Sequence, residues 1–207
     1  MNDVTRSMDA TGAAAASVTA ERRRSFPSGW WGMTLLICTE AALFGTLMAS
    51  YFYLRFQVPE WPPPGIEPTP PEEPLLLTVV LVATSVPIFL GSRAARLGRP
   101  RAAWVWLALT LAVQCFYLAS QIGLFVEDYN KFAPTLNAYT SIYFTLVAAH
   151  GAHVVVGMLL MAFLVVRLAT GGLTNYRLIG VRVVALYLYF VNLIGIPVVL
   201  TQLFPSL

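Results

Sequence analysis

The chain has 207 residues, of which 57% are hydrophobic and only 11% are charged. Its mean hydropathy is +0.69. An ordinary soluble domain carries about 25% charged residues, so this composition excludes that class and indicates a membrane protein. The formal net charge of +3 is less informative than the placement of the charges along the chain.

The first 29 residues are polar and alanine-rich, and three consecutive arginines, Arg22 to Arg24, precede the first apolar run. That run is longer than the 7–15 residues of a signal-peptide core, so we expect no cleavable signal peptide. Few apolar side chains are available here to bury, and we expect residues 1–29 to form a disordered cytoplasmic tail. The acids Asp3, Asp9 and Glu21 argue against a mitochondrial transit peptide.

Five apolar runs long enough to cross a bilayer follow, separated by polar or proline-rich stretches. The segment 57–74 between the first two runs is proline-dense, and we interpret it as an extended outer loop. The sequence thus predicts an all-α integral membrane protein whose five transmembrane helices form one domain over 30–207. The runs cover 30–56, 74–97, 102–125, 138–168 and 180–204.

Basic residues alternate between the two sides of the predicted helices. One side carries only Arg55 and Lys131, together with most of the acids. By the positive-inside rule, the N-terminus and the second and fourth connections face the cytoplasm, and the C-terminus faces outside. The arginines on the cytoplasmic side are Arg6, Arg22, Arg23, Arg24, Arg93, Arg96, Arg99, Arg101, Arg167, Arg177 and Arg182.

Four polar side chains lie near the middle of the apolar runs: Glu40 in the first, His150 and His153 in the fourth, and Asn192 in the fifth. Each is about ten residues or more from the end of its run, which is roughly 15 Å into a core about 30 Å thick. We expect them to form an intramembrane polar link in which Glu40 pairs with a histidine. Three interpretations remain open: adhesion between helices, proton handling, and binding of lipid or ligand.

The sequence shows no catalytic site and no metal site of its own. Two histidines three residues apart with one carboxylate fall short of the usual ligand sets, and no haem-attachment or phosphate-binding motif occurs. Gln114 and Gln121 share one face of the third helix and are positioned to join the polar link. Cys38 and Cys115 lie in separate apolar runs, and we interpret both as small buried hydrophobic residues.

Three stretches of the chain resemble the subunit III family of haem–copper oxidases. The run GWWGMTLLICTEAALFGTLMASYFYLRF (29–56) is similar to its glutamate-bearing helix, and LYLYFVNLIG (186–195) to its final helix. The stretch FAPTLNAYTSIYFTLVAAHGAHVVVGMLL (132–160) carries its Y-x-S-x-[FY]-F…HG-x-HV-x-x-G signature. The resemblance extends over residues 29–204.

The resemblance implies a five-helix form of a subunit that elsewhere has seven helices. Such a subunit binds no cofactor itself, because haem and copper lie in partner subunits of the oxygen-reducing, proton-pumping complex. It packs against subunit I, with subunit II in the same complex, holds structural phospholipid, supports proton uptake and prolongs enzyme lifetime. Glu40, His150 and His153 correspond to family residues, and Arg167 corresponds to an arginine that contacts a lipid phosphate. A plain cytoplasmic anchor remains the alternative for Arg167.

Several positions depart from the family pattern. Tyr189 stands where a histidine is usual, Gly195 where a tryptophan is usual, and Leu124 where an acid is common. The polar pattern of the second helix is reduced to Thr84 and Ser85. These departures weaken the expectation of a polar relay through the second, third and fifth helices, and they leave the expected fold unchanged.

Two other functions remain open at this point. A small proton-coupled transporter would use Glu40 as its carrier site, although the inverted repeats typical of transporters are not found. An accessory subunit of a nitric oxide reductase would have a similar fold, but the histidine signature disfavours it. For the oxidase subunit, both a cytochrome c and a quinol complex agree with these residues. We expect the inner membrane of a bacterium rather than that of a mitochondrion.

Overall fold

The structure is a computed structural model that describes residues 28–66, 70–171 and 175–203. The described residues form helices α1 to α6, and α2 and α3 follow each other within one membrane span. The prediction of an all-α protein with five membrane-spanning segments is confirmed. The helices are α1 (Ser28–Phe56), α2 (Glu72–Ala83), α3 (Ser85–Arg96), α4 (Pro100–Lys131), α5 (Ala138–Ala169) and α6 (Asn175–Leu203).

Some sequence-based expectations lie outside the described residues. These are nearly all of the expected tail 1–29, residues 67–69 of the proline-rich loop, and the last residue expected in the fifth span. The side chain of Arg177 is also outside the description. In the described part, the six arginines from Arg93 to Arg182 lie at one end of the bundle, here called the arginine-rich end. The opposite end carries Glu60, Glu72, Glu73 and Glu127 and is called the acidic end.

Helix α4 is longer than the apolar run that predicted it, because it continues from residue 125 to Lys131. Hydropathy reports only the part of a helix that fits the hydrocarbon, whereas polar residues can extend the same helix into the interface. Two contacts stabilise this last turn. Lys131 Nζ lies 2.8 Å from Glu127 Oε1. Asp128, which is 3% exposed, accepts a hydrogen bond from the Tyr143 hydroxyl of α5.

The second span breaks at Thr84, between α2 and α3. Pro87 lacks the N–H that would bond to the carbonyl of Ala83, and its ring crowds that carbonyl. The N–H of Thr84 is shared between the carbonyls of Val80 and Leu81, at 3.3 and 3.1 Å. The Thr84 hydroxyl donates to the Leu81 carbonyl at 2.6 Å. The break therefore places polar groups in the middle of an otherwise apolar span, where Thr84 is buried.

Four spans surround the core of the bundle in the order α2–α3, α4, α5, α6. Each span packs on the next, and α6 packs on α2 and α3 to close the group. Among the described residues, the two pairs of opposite spans (α2–α3 with α5, and α4 with α6) make no backbone contact. Glycines bring neighbours close: a Cβ at Gly157 would lie 2.7 Å from Leu188, and one at Gly91 would lie 2.8 Å from Leu107. Helix α1 lies outside this group and packs on α5 and α6.

The two cysteines do not lie where the sequence suggested. Cys38 and Cys115 are both exposed on the outer surface of the bundle, and both thiols are free. The expectation that they are buried is wrong. A thiol behaves as a small hydrophobic group, so an apolar outer surface accommodates it as well as the core does.

The described part of the proline-rich loop is folded against the bundle instead of extended. Trp61 packs edge-on against Tyr51 and Tyr139, with ring centroids 5.5 and 5.0 Å apart. Its indole N–H donates to the Tyr51 hydroxyl at 3.0 Å, and Ile66 is 8% exposed. Aromatic and apolar side chains within the loop thus anchor it to α1 and α5, which proline content alone did not indicate.

Candidate functional site

The centre of the site is a hydrogen bond between two helices. Glu40 Oε2 of α1 lies 2.8 Å from His153 Nε2 of α5. The side chains are 24% and 15% exposed in the isolated chain, at a level near the middle of both helices. The structure thus brings together one of the two carboxylate–histidine pairs that the sequence allowed.

The backbone of α5 fixes the tautomer of His153. Its Nδ1 lies 2.6 Å from the Ala149 carbonyl oxygen, and a carbonyl only accepts, so Nδ1 carries a proton. The bond between Nε2 and Glu40 then contains one shared proton. It is either a carboxylic acid donating to a neutral imidazole or an imidazolium donating to a carboxylate. Both forms satisfy the carboxyl group at a depth where a lone charge would be costly.

Aromatic rings enclose this pair. Phe44, one turn beyond Glu40 on α1, is fully buried, and its ring centroid lies 5.0 Å from that of His153. The hydroxyl of Tyr187 on α6 approaches the carbonyl of His153 at 3.4 Å. The Phe44 ring thus orients the imidazole from a side that its two hydrogen bonds leave open, and Tyr187 contacts the backbone of the same residue.

His150 does not share the Glu40 bond. It is 5% exposed and lies against α6, where a Cβ built on Gly195 would be 3.2 Å from its Cε1 and Nε2 atoms. Neither ring nitrogen has a hydrogen-bond partner among the described residues. The two signature histidines, three residues apart, therefore lie in different surroundings. His153 faces α1, whereas His150 faces the core.

Asn192 belongs to a second polar link. Its Nδ2 donates to the hydroxyls of Thr84 and Ser85 at 3.0 and 2.9 Å, which ties α6 to the break between α2 and α3. The Thr84 hydroxyl already donates to Leu81, so it must accept from the amide, and this defines which way the amide points. The expected single link of four residues is thus two links, with His150 in neither.

One further buried polar contact was not predicted from the sequence. The hydroxyl of Tyr143 donates to Asp128 Oδ2 at 2.5 Å, joining α5 to α4 near the acidic end. The sequence indicated for Asp128 only that it is one of the acids on the side that carries Arg55 and Lys131. Its partner Tyr143 belongs to the signature of the resemblance, which was the available clue. Gln114, considered only as a possible addition to the link, is 1% exposed in the core. Gln121 is half-buried.

Arg167 lies in the last turn of α5 at the arginine-rich end. Its guanidinium lies over the ring of Phe163, 5.5 Å from the centroid, and the residue is half-buried. A groove of about 600 Å³ opens at the same end between α4 and α5, lined by residues that include Arg101, Trp104 and Leu168. Arg167 is not one of its lining residues.

The described residues contain no cluster of three or more histidine, cysteine or acidic side chains suited to a metal ion. The polar groups at mid-depth are instead distributed in pairs between helices. Chemically, the arrangement can hold helices together and can share a proton between Glu40 and His153.

Comparison with known proteins gives a consistent result. The sequence model of one family, described as cytochrome c oxidase subunit III, matches residues 4–204. A protein named cytochrome c oxidase subunit 3 from Synechocystis sp. is 29% identical over 171 residues, 80% of this chain and 71% of the relative. Its namesake from Thermostichus vulcanus is 27% identical over 166 residues, 80% and 81% of the two chains. That from Cyprinus carpio is 31% identical over 170 residues, 79% and 64%.

Proposed function

Because this chain belongs to the cytochrome c oxidase subunit III family, we propose that it is a non-catalytic subunit of a respiratory haem–copper terminal oxidase. The family is part of an enzyme complex whose cofactors lie in other subunits. In this proposal the chain packs against subunit I, with subunit II in the same complex, and stabilises the oxygen-reducing subunit. It has no catalytic residues of its own. The match favours this function over the transporter and the nitric oxide reductase subunit.

The observation that carries the structural part of the proposal is the hydrogen bond between Glu40 and His153. Helix α1 packs only on α5 and α6 among the described helices, and its buried hydrophobic residues are Phe44 and Tyr51. A polar bond between helices contributes about 0.6–2 kcal/mol in a membrane. We infer that it holds α1 in one orientation, so that the outer face of the subunit keeps a constant shape for its partner.

Support for proton uptake by subunit I is the second part of the proposal. A carboxyl group that shares one proton with an imidazole can exchange between two forms without moving the backbone. This property supports a proton-handling role for Glu40 and His153. The two polar links are separate, which agrees with the departures from the family pattern at Tyr189 and Gly195 and argues for a local role of this pair instead of a relay across the bundle.

We propose the arginine-rich end as the cytoplasmic side and Arg167 as a contact for a phospholipid phosphate. An arginine near the anionic leaflet gains about 1 kcal/mol, and the stacking of Arg167 on Phe163 positions its guanidinium at the surface of the bundle. Relatives occur in cyanobacteria and in fish. The chain covers 71% and 81% of the cyanobacterial relatives and 64% of the fish protein, and we propose the inner membrane of a bacterium.

Extraction of the tagged chain in a mild detergent tests the proposal directly. We expect the eluate to contain two larger partner chains and to show haem bands in a reduced-minus-oxidised visible spectrum. The same bands will identify the haem type. A colourless, solitary protein from gentle extraction would contradict the oxidase assignment and would direct the next experiment to proton flux in liposomes.

A further inference from the structure

The core of the four-span group contains a polar layer that the two links do not account for. Three side chains from three helices are at least nine-tenths buried and have unpaired polar atoms among the described residues. They are Gln114 of α4 with its Oε1 atom, His150 of α5 with both ring nitrogens, and Asn192 of α6 with its Oδ1 atom.

Helix register places the three side chains at nearly the same depth. Leu107 of α4 packs on Gly91 of α3. Because the two helices are antiparallel, a step of seven residues in the same direction on both, about 10.5 Å, leads to Gln114 on α4 and to Thr84 just before α3. These two residues therefore lie at the same level. Asn192 bonds to Thr84 and is therefore at that level too. His150 contacts Gly195, three residues beyond Asn192, so it lies within about one helical turn of the layer.

Side chains from all four spans meet across the middle of this group. One buried apolar cluster contains Leu81 of α2, Tyr117 of α4, Val154 of α5 and Val191 of α6. Tyr117 and Val154 lie about one turn from Gln114 and His150 on their own helices, and Val191 is next to Asn192. The polar atoms are thus held in the interior by a surrounding apolar layer, away from the lipid-facing surface.

The unpaired atoms of these residues are mostly hydrogen-bond acceptors. The oxygens of Gln114 and Asn192 only accept, and a neutral imidazole offers one acceptor nitrogen and one N–H. As the amides are oriented here, three of these unpaired groups accept and one donates, so they cannot all be satisfied by one another. An unpaired buried polar group costs about 1–3 kcal/mol, and buried water is the usual remedy where two to four polar partners converge.

We propose that this layer is a binding site for internal water, held between Gln114, His150 and Asn192 at the middle of the bundle. One water molecule donates to the side-chain oxygens of Gln114 and Asn192, and its oxygen accepts from the imidazole N–H of His150. The site is independent of the Glu40–His153 bond, because His153 uses both of its nitrogens elsewhere. It is also independent of the proposed role in an oxidase, since it follows from the packing of this chain alone.

The composition of the chain allows a specific test, because His150 and His153 are its only two histidines. The full chain is produced with ¹⁵N-histidine and without a histidine tag, and is reconstituted into phospholipid bilayers. Water-edited solid-state NMR then follows the transfer of magnetisation from water to each histidine nitrogen. We expect the ring nitrogens of His150 to receive it earlier than the backbone nitrogen of the same residue, which is bonded within α5.

A matched pair of variants locates the contact. Gln114→Met removes one acceptor of the site, and Gln121→Met makes the same change two turns away on α4, at a half-buried position. Only Gln114→Met is expected to shift the His150 ring signals and to abolish their early contact with water. In the unmodified chain, ring signals that build up no earlier than the backbone signal would overturn the proposal. This comparison needs no variant, so it remains valid even if a variant fails to fold.

Discussion

Replacement of Glu40 by alanine is the most direct test of the link between α1 and α5. The substitution removes the acceptor or donor 2.8 Å from His153 Nε2 and leaves that nitrogen without its partner. The lost bond accounts for about 0.6–2 kcal/mol, and the unsatisfied imidazole adds about 1–3 kcal/mol. We therefore expect the free energy of unfolding to fall by about 2–5 kcal/mol, which reaches the upper range for single substitutions.

The tautomer of His153 makes the prediction more specific. Because Nδ1 holds its proton toward Ala149, Nε2 of the neutral ring is an acceptor, and the amide N–H of a glutamine can donate to it. Glu40→Gln should therefore lose less than half of the stability that Glu40→Ala loses. A variant that removes the carboxyl group but keeps a donor thus separates the hydrogen bond from the charge.

Unfolding in mixed detergent micelles measures these differences, and a double-mutant cycle with His153→Ala isolates the pair. We expect a coupling free energy of about 0.6–2 kcal/mol. Thr39→Ala is the control, because Thr39 is an exposed neighbour whose hydroxyl bonds within its own helix, to the Leu36 carbonyl at 2.7 Å. Equal stability of Glu40→Ala and Thr39→Ala, or a coupling within about 0.3 kcal/mol of zero, would refute the reasoning. In the purified complex, Glu40→Ala should leave the haem spectrum unchanged and shorten the turnover lifetime.

Three further predictions concern other parts of the bundle. Gly157→Ala places a Cβ 2.7 Å from Leu188 and should lower the free energy of unfolding by about 1–3 kcal/mol through overpacking, measured in the same micelles. Asp128→Ala should cost about 1.5–3 kcal/mol, because it removes the charged partner of the buried Tyr143 hydroxyl. Arg167→Gln should weaken binding of anionic phospholipid about fivefold, equivalent to about 1 kcal/mol, measured as phosphorus retained by the purified complex.

Each of these predictions has a control on the same helix or at the same end. Gly151→Ala adds a Cβ with no atom of another part of the chain within 4 Å, so a loss as large as that of Gly157→Ala would contradict the packing argument. Glu127→Ala removes an exposed ion pair, which is weak because water surrounds both charged groups, and it should cost clearly less than Asp128→Ala. Equal lipid loss in Arg182→Gln, an exposed arginine, would show that Arg167 has no specific contact.

The partners of the polar residues were only partly predictable. Glu40 was expected to bond to either histidine, and the helical spacing of His150 and His153 gave no means to choose between them. The choice depends on the rotation of α5 between α1 and the core, since His153 faces α1 while His150 lies against Gly195. Asn192 was expected in the same link as Glu40 and the histidines, whereas its bond to Thr84 and Ser85 depends on which neighbour α6 meets.

The sequence by itself determined the class of the protein, its five spans and the position of its polar residues along each span. These properties depend on consecutive residues: a run of about 20 apolar residues matches the bilayer, and each residue adds about 1.5 Å along the helix. Only the tertiary structure decided which way each helix faces. Helices that are apolar on all sides have no hydrophobic stripe to mark the core, so packing and interhelical hydrogen bonds set their rotation. That is why Cys38 faces outward, Asp128 faces inward, and Glu40 meets His153 instead of His150.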